Sequence, residues 1–285
     1  MTKILEMYGV STRSNKVVDW ENIVLQEYCP YLNRRCYKTR KSNPNVTIGT
    51  CTVTYGKEEK NVIICPARLL ERRQIFIDCL HLLTLHEPGN ELHIVPEISI
   101  SGGNVDFFLV SARKYEIRDF VGLELQTLDT TGTTWSDRQR FLYSQGFKVD
   151  TETLLTTYNR TFGMNWKMTA KTILMQVHHK VQTFEEINKH LVLVIQDHFM
   201  DYIKKEFQFS HLNQARLGDS AQFHVYGLQA AEDLSYHLEL SSRFSTDANG
   251  IARGLGLQTS SKLEIEEIVG ILKTKISERT RFTLS

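Results

Sequence analysis

Apolar and polar residues follow two different spacings along this chain, and together these spacings predict a mixed α/β protein. Apolar runs rich in β-branched and aromatic residues predict buried strands at 104–110, 119–128 and 191–195. Helical spacing predicts helices over 66–87, 165–180, 197–207 and 263–276, and an amphipathic stretch at 17–28. We expect further strands within 91–103 and 222–228, a polar loop at 129–142, and a strand followed by a polar loop within 236–257.

The composition fits an ordinary soluble globular protein, since 41% of the 285 residues are hydrophobic and 24% are charged. No apolar run approaches the roughly 20 residues that a membrane span needs. Residues 1–15 lack the apolar core of a signal peptide, so we expect a cytoplasmic location and no membrane partner. The net charge of +1 does not by itself indicate a nucleic-acid partner.

One segment departs from this balance. Between Cys29 and Lys57 there is no acidic residue, whereas six residues are basic: Arg34, Arg35, Lys38, Arg40, Lys41 and Lys57. Such a run is either a solvated loop or a surface that contacts phosphate groups and guanine edges.

Four cysteines frame the basic segment: Cys29, Cys36, Cys51 and Cys65. The segments CTVTY and NVIIC predict a hairpin centred on Glu58, which would bring Cys51 and Cys65 face to face. Four gathered thiolates suit tetrahedral zinc or iron, and in a cytosolic protein a metal explains clustered cysteines better than disulfides do. The alternative is that the cysteines pack as small apolar residues.

Acidic side chains interrupt the two most apolar strands. A hairpin folded about Tyr115 places Asp106 opposite Glu124, and Gln126 points to the same face as Glu124 because strand side chains alternate. Two carboxylates and an amide are hard oxygen donors that suit Mg²⁺, which can activate a water and polarise a phosphodiester. The alternative is a pair of half-exposed acids without a metal.

The combination of a strand Asp, a hairpin, a Glu-x-Gln motif and four upstream cysteines resembles the NotI-type, EagI-like restriction endonucleases of the PD-(D/E)XK nuclease superfamily. The similarity covers Cys29 to Lys180. It implies that Asp106 and Glu124 bind Mg²⁺, and that Gln126 orients the attacking water in the place where most relatives have Lys. This chain also has Val105 where the general pattern has Pro, and Gln126 cannot carry a charge.

The resemblance also implies iron, with zinc left open, in the four-cysteine site. Glu71 lies where many nucleases of this fold supply a third carboxylate, although a surface acid is an equally good interpretation. Glu97 either faces the metal or caps the sheet edge. The candidate DNA contacts are Arg34, Arg35, Lys38, Arg40, Arg68, Arg72, Lys167 and Lys171.

These observations predict a PD-(D/E)XK core, with a mixed central sheet flanked by helices, and an N-terminal four-cysteine module. The module spans residues 1–65, and the nuclease domain with C-terminal DNA-contacting and dimerisation elements spans 66–285. The expected function is that of a bacterial, cytoplasmic type II restriction endonuclease, a homodimer that cuts double-stranded DNA at a GC-rich palindrome and leaves 5′-phosphates. The alternatives are a repair or mobile-element nuclease of the same fold and a metal-stabilised DNA-binding protein without catalysis.

Overall fold

The computed structural model describes residues 2–149, 162–257 and 261–275. Its N-terminal part contains a four-stranded sheet in the order β2-β1-β7-β8. The strands are β1 Ile4–Met7, β2 Val10–Ser11, β7 Thr50–Tyr55 and β8 Lys60–Ile63. Between them lie helix α1 Trp20–Gln26 and two short ribbons, β3 Tyr28–Cys29 with β4 Arg34–Arg35, and β5 Thr39–Arg40 with β6 Asn43–Thr47.

A seven-stranded mixed sheet forms the centre of the structure, in the order β15-β17-β16-β14-β11-β10-β9. Its pairs are antiparallel except for β11 with β14 and β14 with β16. Parallel strands buried on both faces read as continuous apolar runs, as β14 does. The strands are β9 Glu91–Ile100, β10 Gly103–Arg113, β11 Glu116–Gln126, β14 His190–Gln196, β15 Asn213–Gln214, β16 Ala221–Ala230 and β17 Tyr236–Thr246. A separate short pair joins β12 Thr130–Thr131 to β13 Gly163–Met164.

Both faces of the central sheet are covered. The helices are α2 Gln74–Ile77, α3 Trp135–Ser144, α4 Trp166–Glu186, α5 Asp197–Glu206, α6 Ala248–Gly254 and α7 Ser261–Lys275. The apolar faces of α4 and α5 pack on one side of the sheet, and residues 69–83 pack on the other. The predicted mixed α/β architecture, a mixed sheet with flanking helices, is therefore confirmed. None of the helices in the described ranges is long and apolar enough to cross a membrane.

Three sequence predictions are wrong in detail. Residues 66–87 do not form one helix but a 3₁₀ segment Pro66–Arg73, the short α2 and a second 3₁₀ turn Leu80–Leu82. The chain leaves helical geometry at Glu71 and Arg72, where the Glu71 carboxylate accepts a 2.5 Å hydrogen bond from the Leu238 backbone N–H. This long-range contact therefore accompanies the break that local spacing did not predict.

The second and third corrections concern loops that contain helices. Residues 129–142 include most of α3, and the polar loop predicted towards the end of 236–257 contains α6. Helix α6 begins where the Asp247 carboxylate accepts from the Gly250 N–H at 2.6 Å, and it buries Ile251 in the core. Its seven residues gain most of their stability from this packing rather than from helix propensity.

Candidate active site

Asp106 and Glu124 occupy adjacent positions on neighbouring antiparallel strands. Phe107 of β10 pairs with Leu123 of β11, so the same register places Asp106 beside Glu124, as the sequence predicts. The Asp106 Oδ2 atom accepts a 2.8 Å hydrogen bond from the Leu125 backbone N–H. Glu124 is buried and Asp106 is partly exposed, so solvent reaches the pair from the Asp106 side.

A third charged side chain lies against this pair of carboxylates. Lys180, on helix α4, places its Nζ atom 2.6 Å from Glu124 Oε1, and the side chains of both residues are only 6% exposed. Helical spacing places Lys180 on the buried face of α4, because Val177, Val181 and Phe184 on the same face are packed in the core. We define the carboxyl cluster as Asp106, Glu124 and Lys180.

Burial dominates the electrostatics of the carboxyl cluster. It raises the pKa of Glu124 to about 7, although the hydrogen bond from Lys180 opposes the shift and the charge of Asp106 adds to it. Burial likewise raises the pKa of Asp106, against the Leu125 hydrogen bond and the Lys180 charge. The two carboxylates therefore resist ionising together, and a cation that joins them lowers this cost.

Two further predicted residues lie close to the carboxyl cluster. Gln126 is partly buried two residues beyond Glu124, and its Nε2 atom donates to the Thr127 carbonyl oxygen at 2.6 Å. Glu97 lies on the edge strand β9, directly after Pro96, which pairs with Phe107 of β10. Its side chain is exposed and its charge raises the pKa of Asp106, so Glu97 lies within electrostatic range of the carboxyl cluster.

Glu71 does not join this cluster, contrary to the sequence prediction. Its carboxylate bonds to Arg68 at 2.9 Å, to His237 at 3.2 Å and to the Leu238 N–H. Those β17 residues lie three strand positions from β11 and four from β10 in the sheet order, which at about 4.8 Å per strand is roughly 14–19 Å. The position predicted for a third metal-binding carboxylate is therefore wrong, because Glu71 anchors the 66–73 segment to β17.

The prediction that Arg68 contacts DNA is also wrong. It is fully buried, and its guanidinium bonds to Glu6 at 2.9 Å, to Glu71 and to the Tyr236 carbonyl oxygen at 2.8 Å. The Tyr31 ring covers it at 5.0 Å. This burial contradicts the phosphate contact predicted for Arg68, because a residue that serves as an internal crosslink does not present its charge to DNA.

The other candidate DNA contacts differ in whether their side chains are exposed or already bound to other groups of the protein. Arg34, Arg72 and Lys171 are exposed. Arg35 forms an ion pair with Glu27 at 2.5 Å, and Lys167 forms one with Glu206 at 2.7 Å. Two more contact the protein itself, since Lys38 donates to the Ile64 carbonyl oxygen and Arg40 stacks on the Trp135 ring at 4.7 Å.

The four predicted cysteines gather in one place. Cys29, Cys51 and Cys65 form a small buried cluster, and the partly buried Cys36 packs against it. The hairpin register is one residue from the predicted one, because Ile64, rather than Cys65, lies opposite Cys51, with the Ile64 N–H 3.0 Å from the Cys51 carbonyl oxygen. We refer to these four residues as the cysteine cluster.

The environment of the cysteine cluster favours the protonated thiol at three of its four cysteines. Burial raises the pKa values of Cys29, Cys36 and Cys51, and the neighbouring thiols add to this effect. Ionised thiols would therefore need a cation, and four sulfur donors fit zinc or iron. Within residues 2–149, 162–257 and 261–275, however, no group of three or more His, Cys, Asp or Glu side chains is arranged as ready metal ligands. The metal site itself remains a prediction.

Comparisons with known proteins add no family. No protein-family model matches this chain. No curated protein matches it either.

Proposed function

We propose that this chain is a Mg²⁺-dependent endonuclease of the PD-(D/E)XK type that cuts double-stranded DNA at a specific site. The observation that carries the proposal is the pairing of Asp106 with Glu124 on adjacent strands, beside the buried ammonium of Lys180. Two carboxylates supply hard oxygen donors, and their partial burial disfavours two uncompensated negative charges.

Each residue has a defined part in this proposal. Asp106 and Glu124 would hold Mg²⁺, which when bound supplies Lewis-acid polarisation of the phosphodiester and an activated water. Gln126 would orient that water through its amide oxygen, because its amide nitrogen is engaged by Thr127. The exposed basic side chains of Arg34, Arg72 and Lys171 would contact the DNA backbone.

The resemblance to NotI-type restriction endonucleases supports the narrower proposal of a type II enzyme with a GC-rich palindromic target and 5′-phosphate products. One site per chain cuts one strand, so cutting both strands at a palindrome calls for a symmetric homodimer. In the same proposal the cysteine cluster binds iron or zinc and holds the basic loops in place.

The decisive experiment is cleavage of plasmid DNA with Mg²⁺, followed by sequencing of the ends. The wild-type protein should give discrete fragments, and both Asp106→Asn and Glu124→Gln should be inactive. Glu116→Gln is the matched control, because this exposed acid lies on the same strand as Glu124. Equal cleavage by Glu124→Gln and the wild type would refute the assigned site.

A second function is favoured by one observation. Lys180 already pairs with Glu124, and the Leu125 N–H donates to Asp106, so both acids have partners without a metal, as they would in a DNA-binding protein that does not cut. Tight, sequence-specific binding with no cleavage at any concentration of Mg²⁺ or Mn²⁺ would favour that function.

A further inference from the structure

The position of Lys180 is not explained by packing. It lies on the apolar face of α4, among Val177, Val181 and Phe184, and its side chain is only 6% exposed. A buried ammonium carries a desolvation cost that a methionine of similar length would avoid. The carboxylate at 2.6 Å is the group that makes a charge useful at this position.

The backbone also holds Lys180 in place. The turn between β9 and β10 lies against α4, where the Ser101 carbonyl oxygen accepts a 3.0 Å hydrogen bond from the Thr183 hydroxyl. A methyl group added to Gly102 would lie 3.0 Å from the His179 carbonyl oxygen, and one added to Gly103 would lie 3.4 Å from Lys180 Cε. The two glycines therefore let the turn approach the helix at the lysine, which fixes Lys180 relative to the strand that carries Asp106.

We infer that Lys180 is the resident cation of this site and that a divalent ion competes with its ammonium for the Glu124 carboxylate, which releases the ammonium towards a substrate phosphate. The second half of this inference rests on the proposed nuclease function. The first half concerns only cation binding and stands independently of what the protein acts on.

The charges of the carboxyl cluster lead to this inference. With Asp106 and Glu124 both ionised, which for Glu124 requires a bound ion or a pH above about 7, the two carboxylates and the ammonium sum to −1. Adding a divalent ion gives +1, which matches one phosphodiester charge. Without the lysine, the ion alone neutralises the carboxylates and no positive charge remains for the phosphate. Removing Lys180 should therefore strengthen ion binding and weaken turnover, two effects of opposite sign.

Position 126 on β11 can carry a lysine in place of Lys180. Gln126 points to the same face as Glu124, roughly 7 Å further along β11, a distance that a lysine side chain spans. A lysine at this position would sit beside the cluster instead of on Glu124. It should therefore supply charge to the phosphate when the helix no longer does so.

The test compares four full-length proteins: the wild type, Lys180→Met, Lys180→Met with Gln126→Lys, and Lys205→Met. Lys205→Met is the matched control, because Lys205 is exposed on α5. Mg²⁺ and Ca²⁺ binding is measured by calorimetry, and plasmid cleavage is measured separately. We expect about tenfold tighter Mg²⁺ binding in Lys180→Met, no change in Lys205→Met, and about hundredfold slower cleavage in Lys180→Met, of which the added lysine at 126 restores at least about tenfold.

Each outcome decides a different statement. Mg²⁺ binding that is no tighter in folded Lys180→Met than in the wild type overturns the competition. Full cleavage by Lys180→Met overturns the release towards phosphate. Recovery when Gln126→Lys is added supports it, because the added charge then outweighs the loss of the water-orienting Gln126 amide. If the wild type cuts no DNA, the proposed function fails while the calorimetry still decides the competition. If Lys180→Met does not fold, Lys180→Gln replaces it, since its amide can still donate to Glu124 and the same affinity change is expected.

Discussion

Glu124→Gln should remove a pH dependence of stability that the wild type shows. In the folded protein the pKa of Glu124 is raised to about 7 from its usual 4.5. An unfolded chain therefore releases the proton near pH 4.5, whereas the folded chain keeps it until about pH 7. Between these values the folded state binds more protons than the unfolded state, so stability falls as the pH rises.

The size of the effect follows from the same two values. Their difference of about 2.5 pKa units corresponds to roughly 3 kcal/mol of unfolding free energy, lost progressively between pH 4.5 and 7.5. A stability of 5–15 kcal/mol is usual for a folded domain, so a loss of this size is measurable. Glutamine has no titrating group and keeps an oxygen that accepts the Lys180 hydrogen bond.

The assay is urea unfolding at half-unit pH intervals from 4.5 to 8, in EDTA so that no divalent ion competes. The quantity of interest is the unfolding free energy of the wild type minus that of Glu124→Gln, because groups outside the carboxyl cluster titrate equally in both proteins. Glu116→Gln serves as the control and should follow the wild-type profile, since this acid is exposed.

The result that would refute the reasoning is a difference that stays flat or rises with pH. A rising difference would mean that the Lys180 ion pair outweighs burial and lowers the pKa of Glu124. The experiment therefore decides between two opposing causes at one carboxylate, desolvation and the ammonium at 2.6 Å.

Three further predictions test the surrounding structure. Arg68→Met should lower the unfolding free energy by about 3–5 kcal/mol in urea titrations, because it leaves buried carboxylates unpaired; a loss below about 1 kcal/mol would contradict the crosslink. Gly102→Ala should cost about 2 kcal/mol or more, because φ is +97° and the new methyl group meets helix α4, whereas Gly89→Ala, with φ of +90° and open space, should cost less. Cys65→Ala should abolish bound zinc or iron in elemental analysis while Cys79→Ala retains it; equal metal content in both would remove the cysteine cluster as the binding site.

The site was predictable where local rules determine it. The β10–β11 hairpin has strongly apolar arms around a polar turn, so the alternation of side chains and the position of the turn place Asp106 beside Glu124. The central strand β14 was equally clear, because a short, uniformly apolar run fits a strand with parallel neighbours on both sides.

The failures arise where long-range contacts decide. Glu71 bonds to His237 and Leu238 of β17, which lie 166 and 167 positions further along the chain. Its position near a predicted helix start therefore carried no information about its partners. Lys180 was missed because its partner is 56 residues away in the sequence. A signal was present, since a lysine spaced three and four residues from Val177 and Phe184 stands on the apolar face of its helix.

The cysteine cluster and the carboxyl cluster belong to one connected structure, which bears on how a metal at the cysteines would act. The Gln196 side chain, at the end of the central strand β14, accepts from the Ile63 N–H at 2.9 Å and donates to the Asn61 carbonyl oxygen at 2.6 Å. Strand β8, held in this way, ends two residues before Cys65. These two hydrogen bonds tie the cysteine region to the sheet that carries Glu124, and they cannot shift without leaving polar groups unsatisfied. Loss of a cysteine ligand should accordingly disturb the placement of the basic loops first, because those loops lie between the cysteines, while the sheet keeps its own core.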